Sequence, residues 1–210
     1  MFSSQQKFDN LVVGGGIVGV SIAYHLSKNK NSKTVLLEKN AIGSGATSMS
    51  AGTIAASMDP DKINPKLWDP FIAMHTIKTI LEVEKLGFKT SFQQTGEYTF
   101  ATNRKSLKFL KETHTYAVKE GLVSKWLDMN ELRKTLPVVS TNCFGATYNK
   151  LSGQVNPGIL AEALAAAAKD NGAVLIEGEE VINIEDRCFW RFIDGYRYKA
   201  VTKENSYRLS

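Results

Sequence analysis

Apolar residues gather along this chain in two rhythms. Leu11-Val12-Val13 and Val35-Leu36-Leu37 are short continuous runs, the pattern of strands covered on both faces. Between them Ile17, Val20, Ile22, Ala23 and Leu26 recur near helical spacing. The pattern predicts a strand over 9–13, a helix over 16–27, a connection over 28–33 and a second strand over 34–38. That order is a right-handed βαβ crossover.

The next segment, IGSGATSMSAGTI at 42–54, is built of small and hydroxyl residues and has no bulky apolar core. A polar stretch with Met58, Asp59, Pro60 and Asp61 follows it. A helix is predicted over 70–86, with Ile72, Ile77, Ile80, Leu81 and Val83 as its buried stripe and Gly87 as its stop. The texture changes from Thr90. A strand is expected over 98–101, after the turn residues Thr95 and Gly96, and a helix over 105–120, closed by Gly121. Asp128 caps a short helix that stops before Pro137, and 144–148 reads as a strand. Asn156-Pro157-Gly158 opens a helix that Gly172 closes. Strands at 174–176 and 181–184 follow, then a hairpin over 194–209 turning at Lys203-Glu204-Asn205.

Composition narrows the class. The chain has 210 residues, of which 43% are hydrophobic and 22% charged, as in an ordinary globular protein of one domain or one domain with a smaller companion. No window approaches the ~20 apolar residues of a membrane helix. Cys143 and Cys188 lie far apart and form neither a metal nor a redox pair, so a reducing compartment is expected. Only Met1 to Phe8 precede the first predicted strand, less than a signal peptide with its apolar core of ~7–15 residues needs. Cytosol is the default compartment and the mitochondrion the alternative. The net charge of +5 is mostly scattered lysine. Its densest cluster, Lys28, Lys30 and Lys33, reads as a solvated loop rather than a nucleic-acid patch. His25, His75 and His114 show no metal-ligand spacing and read as structural. Phe189, Trp190, Phe192, Tyr196 and Tyr198, interleaved with Arg187, Arg191 and Arg197, read as a half-buried hairpin rather than a stacking surface for bases.

The chemistry is concentrated near the N-terminus. Gly14-Gly15-Gly16-Ile17-Val18-Gly19 fits G-x-G-x-x-G, follows a predicted strand and opens a predicted helix. Gly14 permits the tight turn, Gly16 lets backbone approach a pyrophosphate, and Gly19 lets helix and strand pack closely. The phosphates would rest on free N–H groups at the positive end of the helix dipole. Glu38 ends the second strand, 38 − 14 = 24 residues after the first glycine. Its carboxylate is placed to accept from ribose hydroxyls and to repel a 2′-phosphate, which disfavours NADP. The GSGATSMSAGT segment then distinguishes FAD from NAD. Small residues let backbone approach a flat ligand, hydroxyls serve phosphates, and a plain NAD unit needs no such stretch there.

Four segments carry a resemblance: VVGGGIVGVSIAYHLSK (12–28), VLLEKNAIGSGATSMSAGTI (35–54), QTGEYTFAT (94–102) and SGQVNPGILAEALAAAAKDNGAVL (152–175). Together they resemble the FAD-dependent oxidoreductases of the D-amino-acid oxidase family, which includes glycine and sarcosine oxidases and the sarcosine and dimethylglycine dehydrogenases. The resemblance implies an α/β fold, a doubly wound Rossmann-like FAD-binding domain with an inserted α+β substrate domain. It implies a first FAD-domain part over 1–57, a helical connection over 58–87, a first substrate-domain part over 88–150, and an incomplete return to FAD over 151–210. By position, Gly14, Gly16, Ile17, Val18, Gly19, Glu38, Lys39, Ser44, Thr47 and Ser48 would meet the cofactor. Ala51 and Gly52 would do so through backbone, and Val181 would approach the adenine. The reaction implied is oxidation of the CH–NH bond of an amino acid or N-methylated amino acid, with hydride passing to flavin N5 and electrons to oxygen or a carrier flavoprotein.

Two departures from the family stand out. Met49 occupies the place of the histidine that carries covalent flavin in sarcosine and dimethylglycine dehydrogenases, so non-covalent FAD is expected. The chain also stops at Ser210, where members continue with a further FAD-domain strand and the second half of the substrate domain. This reads as an N-terminal fragment. The rival readings are therefore a truncated, inactive FAD-fold chain and an NAD-dependent dehydrogenase.

Overall fold

The computed structural model describes residues 7–55, 70–119, 121, 123–139, 142–186, 198–202 and 206–209. The polar stretch at 58–61, Cys188, the aromatic and arginine cluster from Arg187 to Arg197, the turn at 203–205 and the side chain of Ile72 lie outside the described residues. In chain order the elements are β1 (Lys7–Phe8), β2 (Asn10–Val13), α1 (Ile17–Ser27), β3 (Thr34–Glu38), β4 (Thr53–Ile54) and α2 (Pro70–Lys85). Next come β5 (Glu97–Phe100), α3 (Arg104–Lys119), β6 (Lys125–Leu127), α4 (Met129–Thr135), β7 (Ala146–Asn149) and β8 (Gly153–Gln154). The last are α5 (Pro157–Asp170), β9 (Val174–Glu177), β10 (Val181–Asp186), β11 (Tyr198–Thr202) and β12 (Ser206–Leu209). The chain divides into two compact units, one of Met1–Ala51, Glu82–Ser91 and Asn156–Ser210, the other of Gly52–Leu81 and Phe92–Val155.

The first unit is organised by a parallel sheet in the order β2-β3-β9. This is one half of a doubly wound sheet. The TVLLE run forms its central strand because hydrophobic cover on both faces is what such a run requires. Val35 and Leu36 are fully buried and Leu37 nearly so. On one face Val35 and Leu37 join Phe8 and Tyr207, with Leu11, Val174, Ile176 and Val181 packed around them. Elsewhere in the unit α1 packs on α5. The facing positions are small, Ala23 on one helix and Ala161, Ala167 and Ala168 on the other, all fully buried. Asn156 caps α5, its side chain accepting the Ile159 N–H at 3.2 Å. A second sheet runs β1-β12-β11-β10, with β1 and β12 parallel and the other pairs antiparallel.

The second unit contains an antiparallel sheet in the order β5-β7-β6 and a short β4–β8 pair. Leu127, Leu132, Cys143 and Ala146 make its core, and Tyr98 and Tyr148 pack against them with ring centroids 4.6 Å apart. Asp128 caps α4, accepting from the N–H groups of Asn130 and Glu131 at 2.8 and 2.9 Å.

Several sequence expectations need correction. Lys7 and Phe8 do not precede the strands but form β1, since Phe8 fills the core beside β3. Ile22 and Leu81 sit at the margins of their helical stripes and are exposed. Tyr24, absent from the predicted stripe of α1, is fully buried. The strands β4, β6 and β8, of two or three residues each, were not legible in the hydrophobic pattern.

Candidate dinucleotide site

The carboxyl ends of β2 and β3 deliver the glycine turn and Glu38 side by side, at the edge where open parallel sheets take their ligands. The Gly14 N–H donates to the Leu37 carbonyl at 2.8 Å, tying the turn to β3. Gly14 has φ +101°, a conformation an L side chain rarely adopts. At Gly19 a Cβ would stand 1.9 Å from the Gly14 carbonyl oxygen, so only glycine lets α1 seat this closely on the turn.

Gly16 is the N-cap of α1 and supplies no capping side chain. Thr47, thirty residues on, replaces it. Its Oγ1 accepts the Ile17 N–H at 2.9 Å, and its side chain is buried. The first intrahelical bond runs from the Val20 N–H to the Gly16 carbonyl. The N–H groups of Gly16, Val18 and Gly19 make no hydrogen bond among the described residues. Three unspent donors at the positive end of a helix are able to receive an anion such as a pyrophosphate.

Glu38 accepts from the N–H groups of Gly15 and Asn40, at 2.5 and 2.8 Å, one on each carboxylate oxygen. Each oxygen keeps a further lone pair for a ribose hydroxyl. Glu177, opposite Glu38 in the register of β9, accepts the Ile42 N–H at 2.6 Å. These two carboxylates anchor both ends of the turn leading into the small-residue loop. The loop then crosses the first turn of α5. Gly43, at φ +71°, lies where a Cβ would come within 3.1 Å of the Ala161 methyl group and 3.5 Å of the Gly158 Cα.

The predicted site residues are thus unequally placed. Gly14, Gly16, Ile17, Val18, Gly19, Glu38 and Thr47 converge on the turn. Ser44 and Ser48 lie on the exposed side of the loop, their hydroxyls donating to loop carbonyls, Ser44 to Ala41 at 2.7 Å and Ser48 to Gly45 at 3.0 Å. Lys39 is exposed. Ala51 ends the first segment of the first unit, whereas Gly52, at φ +70°, opens the second and accepts the Val155 N–H at 2.9 Å. Val181 begins β10 beside a register irregularity, and its side chain packs against the Phe8 cluster. Sequence reasoning missed Gly15, Gly43 and Glu177. At Gly15 a Cβ would come within 2.5 Å of Ile42 and 2.9 Å of Glu38. The tripled glycine was the available signal for Gly15; none marked Glu177.

The perturbed groups lie elsewhere. At the other end of α1 the Lys28 ammonium sits 2.9 Å from Glu82 and 4.5 Å from the centre of the Tyr24 ring. The Lys28 bond holds the Glu82 carboxyl below its ordinary range, and burial pushes the Tyr24 hydroxyl up. Neither pair touches the turn. No group of His, Cys, Asp and Glu among the described residues could hold a metal ion.

The family model described as FAD dependent oxidoreductase matches residues 9–203, nearly the whole chain. The chain belongs to that family. It is 29% identical over 191 residues to a glycine oxidase of Geobacillus kaustophilus, covering 90% of this chain and 50% of that protein. It is 29% identical over 185 residues to human mitochondrial dimethylglycine dehydrogenase, covering 87% of this chain and 21% of that one. The crystal structure of glycine oxidase from Geobacillus kaustophilus superposes with a TM-score of 0.75 at 26% identity, over 98% of this chain and 54% of the other. The chain therefore spans about half the length of the glycine oxidases it matches. Membership of this family agrees with the doubly wound fold and with FAD rather than NAD as the family's dinucleotide. The residues present fit that group, because the three free N–H donors, the absent Cβ at Gly16 and Gly19, and the carboxylate at the end of β3 are what a dinucleotide needs.

Among the described residues no helix is long and apolar enough to cross a membrane.

Proposed function

We propose that this chain binds FAD without a covalent link, as the cofactor-holding part of an oxidoreductase acting on the CH–NH bond of an amino acid or N-methylated amino acid. The observation that carries the reading is the unspent N–H triad of Gly16, Val18 and Gly19 at the N-terminal end of α1. In this reading the triad receives the pyrophosphate, and the Thr47 hydroxyl, which already accepts from Ile17, turns its proton toward the same phosphates. Glu38 receives the ribose hydroxyls while remaining bonded to Gly15 and Asn40. Ser44, Ser48 and Lys39, with the backbone of Ala51, Gly52 and Val181, are the further groups assigned to the cofactor in this reading. Met49 is fully exposed in character, at 86%, and offers no group to form a flavin bond. When bound, FAD supplies the electron-accepting ring, with oxygen or a carrier flavoprotein as the final acceptor. The protein orients it. Residues 1–57 and 151–210 form the cofactor part in this reading, 58–87 the connection, and 88–150 the first part of a substrate domain.

The glycine oxidase relative, matched over 50% of its length, supports substrates of the amino-acid class. The same half-length coverage favours one second reading, a chain that holds the flavin but does not turn over. A visible absorption spectrum of the purified chain, before and after acid precipitation, addresses the first part. Flavin bands that pass into the supernatant are expected. Bands that stay with the precipitate would overturn the non-covalent reading. Anaerobic bleaching by a panel of amino acids and N-methylated amino acids then separates the two readings: bleaching supports the oxidoreductase, and a bound flavin that no member reduces supports the second.

A further inference from the structure

The net charge of +5 is not spread evenly. Residues 101–150 hold nine lysines and arginines against four acids, a surplus of five that equals the excess of the entire chain. Much of it lies on one face of α3. Leu110, Thr113 and Ala117 are buried and define the inward side of that helix. Its exposed residues are Arg104, Lys105, Lys108, Lys111, Glu112, Thr115, Val118 and Lys119. At 3.6 residues per turn the five cations fall within an arc of about 120° and along about 22 Å of helix. Neutralisation is slight. Among the described residues Glu112 is the one acid on this face, and its Oε1 is 4.0 Å from the Lys108 Nζ. Lys111 lies 5.6 Å from the centre of the half-buried Trp126 ring. Like charges this close repel one another weakly, a repulsion that an opposite charge meeting the face would relieve.

We infer that the outer face of α3 is a docking surface for an acidic face of a partner protein. Charge complementarity and the make-up of the face select that occupant. A lipid surface would take an apolar side inserted beneath the cations, but the apolar side of α3 is spent on the core and Val118 alone is exposed. A nucleic acid would set phosphates against Glu112, which lies among Lys105, Lys108 and Lys119, and would favour exposed aromatics, whereas Trp126 is half-buried. A protein face of mixed charge, predominantly acidic, accommodates both the five cations and Glu112, and would be steered to the helix at low salt.

The test uses the full chain and three immobilised probes: poly-L-glutamate, vesicles of phosphatidylserine in phosphatidylcholine, and random-sequence duplex DNA. A triple variant, Lys105→Glu, Lys108→Glu and Lys111→Glu, is compared with a control of equal net charge, Lys33→Glu, Lys85→Glu and Lys89→Glu, all exposed lysines outside α3. Circular dichroism verifies that both fold. Salt-sensitive binding to polyglutamate is expected, weakened at least ~10-fold by the α3 variant and much less by the control. Equal weakening by the two variants would overturn the proposal, because binding would then follow net charge alone. So would patch-dependent binding to vesicles or DNA tighter than to polyglutamate.

Discussion

Replacing Thr47 by valine removes one hydroxyl from a buried position and leaves the shape nearly unchanged. The lost contact is the 2.9 Å bond from the Ile17 N–H, the bond that a capping side chain at Gly16 would otherwise provide. Loss of an N-cap acceptor costs about 0.5–2 kcal/mol, and burial of Thr47 puts this case toward the upper end because water has little access to replace it. At ~2–4 °C per kcal/mol for a chain of this size, Thr47→Val should melt roughly 2–8 °C lower without added flavin. Thr47→Ser keeps the oxygen and should recover most of that loss. Thermal unfolding followed by circular dichroism, with and without FAD, is the assay. Because the same hydroxyl is assigned to the phosphates, the gap between valine and wild type should widen when FAD is present. A valine variant that melts with the wild type in both conditions would refute the cap and, with it, the coupling of the 42–50 loop to the helix terminus.

Other substitutions probe the same frame. Gly19→Ala places a methyl group against the Gly14 carbonyl and should destabilise by about 1–3 kcal/mol despite alanine's better helix propensity, read from chemical denaturation. Asn156→Ala removes the cap of α5 and should cost about 1 kcal/mol in the same measurement. His114 is held below its ordinary pKa by burial, with Nδ1 2.9 Å from the Ser124 hydroxyl. The unfolded chain therefore takes up the proton first, so stability should be full above about pH 6.5 and fall as pH drops below it. His114→Gln should flatten that part of the profile in a pH series of melts. Lys28→Ala should change stability by no more than about 1 kcal/mol, since its pair with Glu82 is partly exposed.

The βαβ unit was legible because its signals are local. A continuous apolar run reads as a covered strand whatever the rest of the chain does, and three glycines between such a run and a helical pattern admit few other uses. The caps at Asp128 and Asn156 were legible for the same reason, each acting on N–H groups two or three residues away. The role of Thr47 was not. The small, hydroxyl-rich composition of 42–54 pointed to a ligand, but a bond to Ile17 across thirty positions leaves no local trace. Glu177 was hidden likewise, since its partner Ile42 lies 135 residues away and its value comes from register beside Glu38. Short strands such as β4 and β8 have no periodicity to detect, because two residues cannot show an alternation.

The central claim is that the free N–H groups at the N-terminal end of α1, together with Glu38, seat the phosphates and ribose of FAD. Titration of the purified chain with FAD, followed by quenching of flavin fluorescence and repeated with NAD and NADP as competitors, tests it most directly. Saturable FAD binding that NADP does not displace and that Gly19→Ala and Thr47→Val both weaken is the expected result. Absence of saturation, or stronger binding of NAD than of FAD, would contradict it.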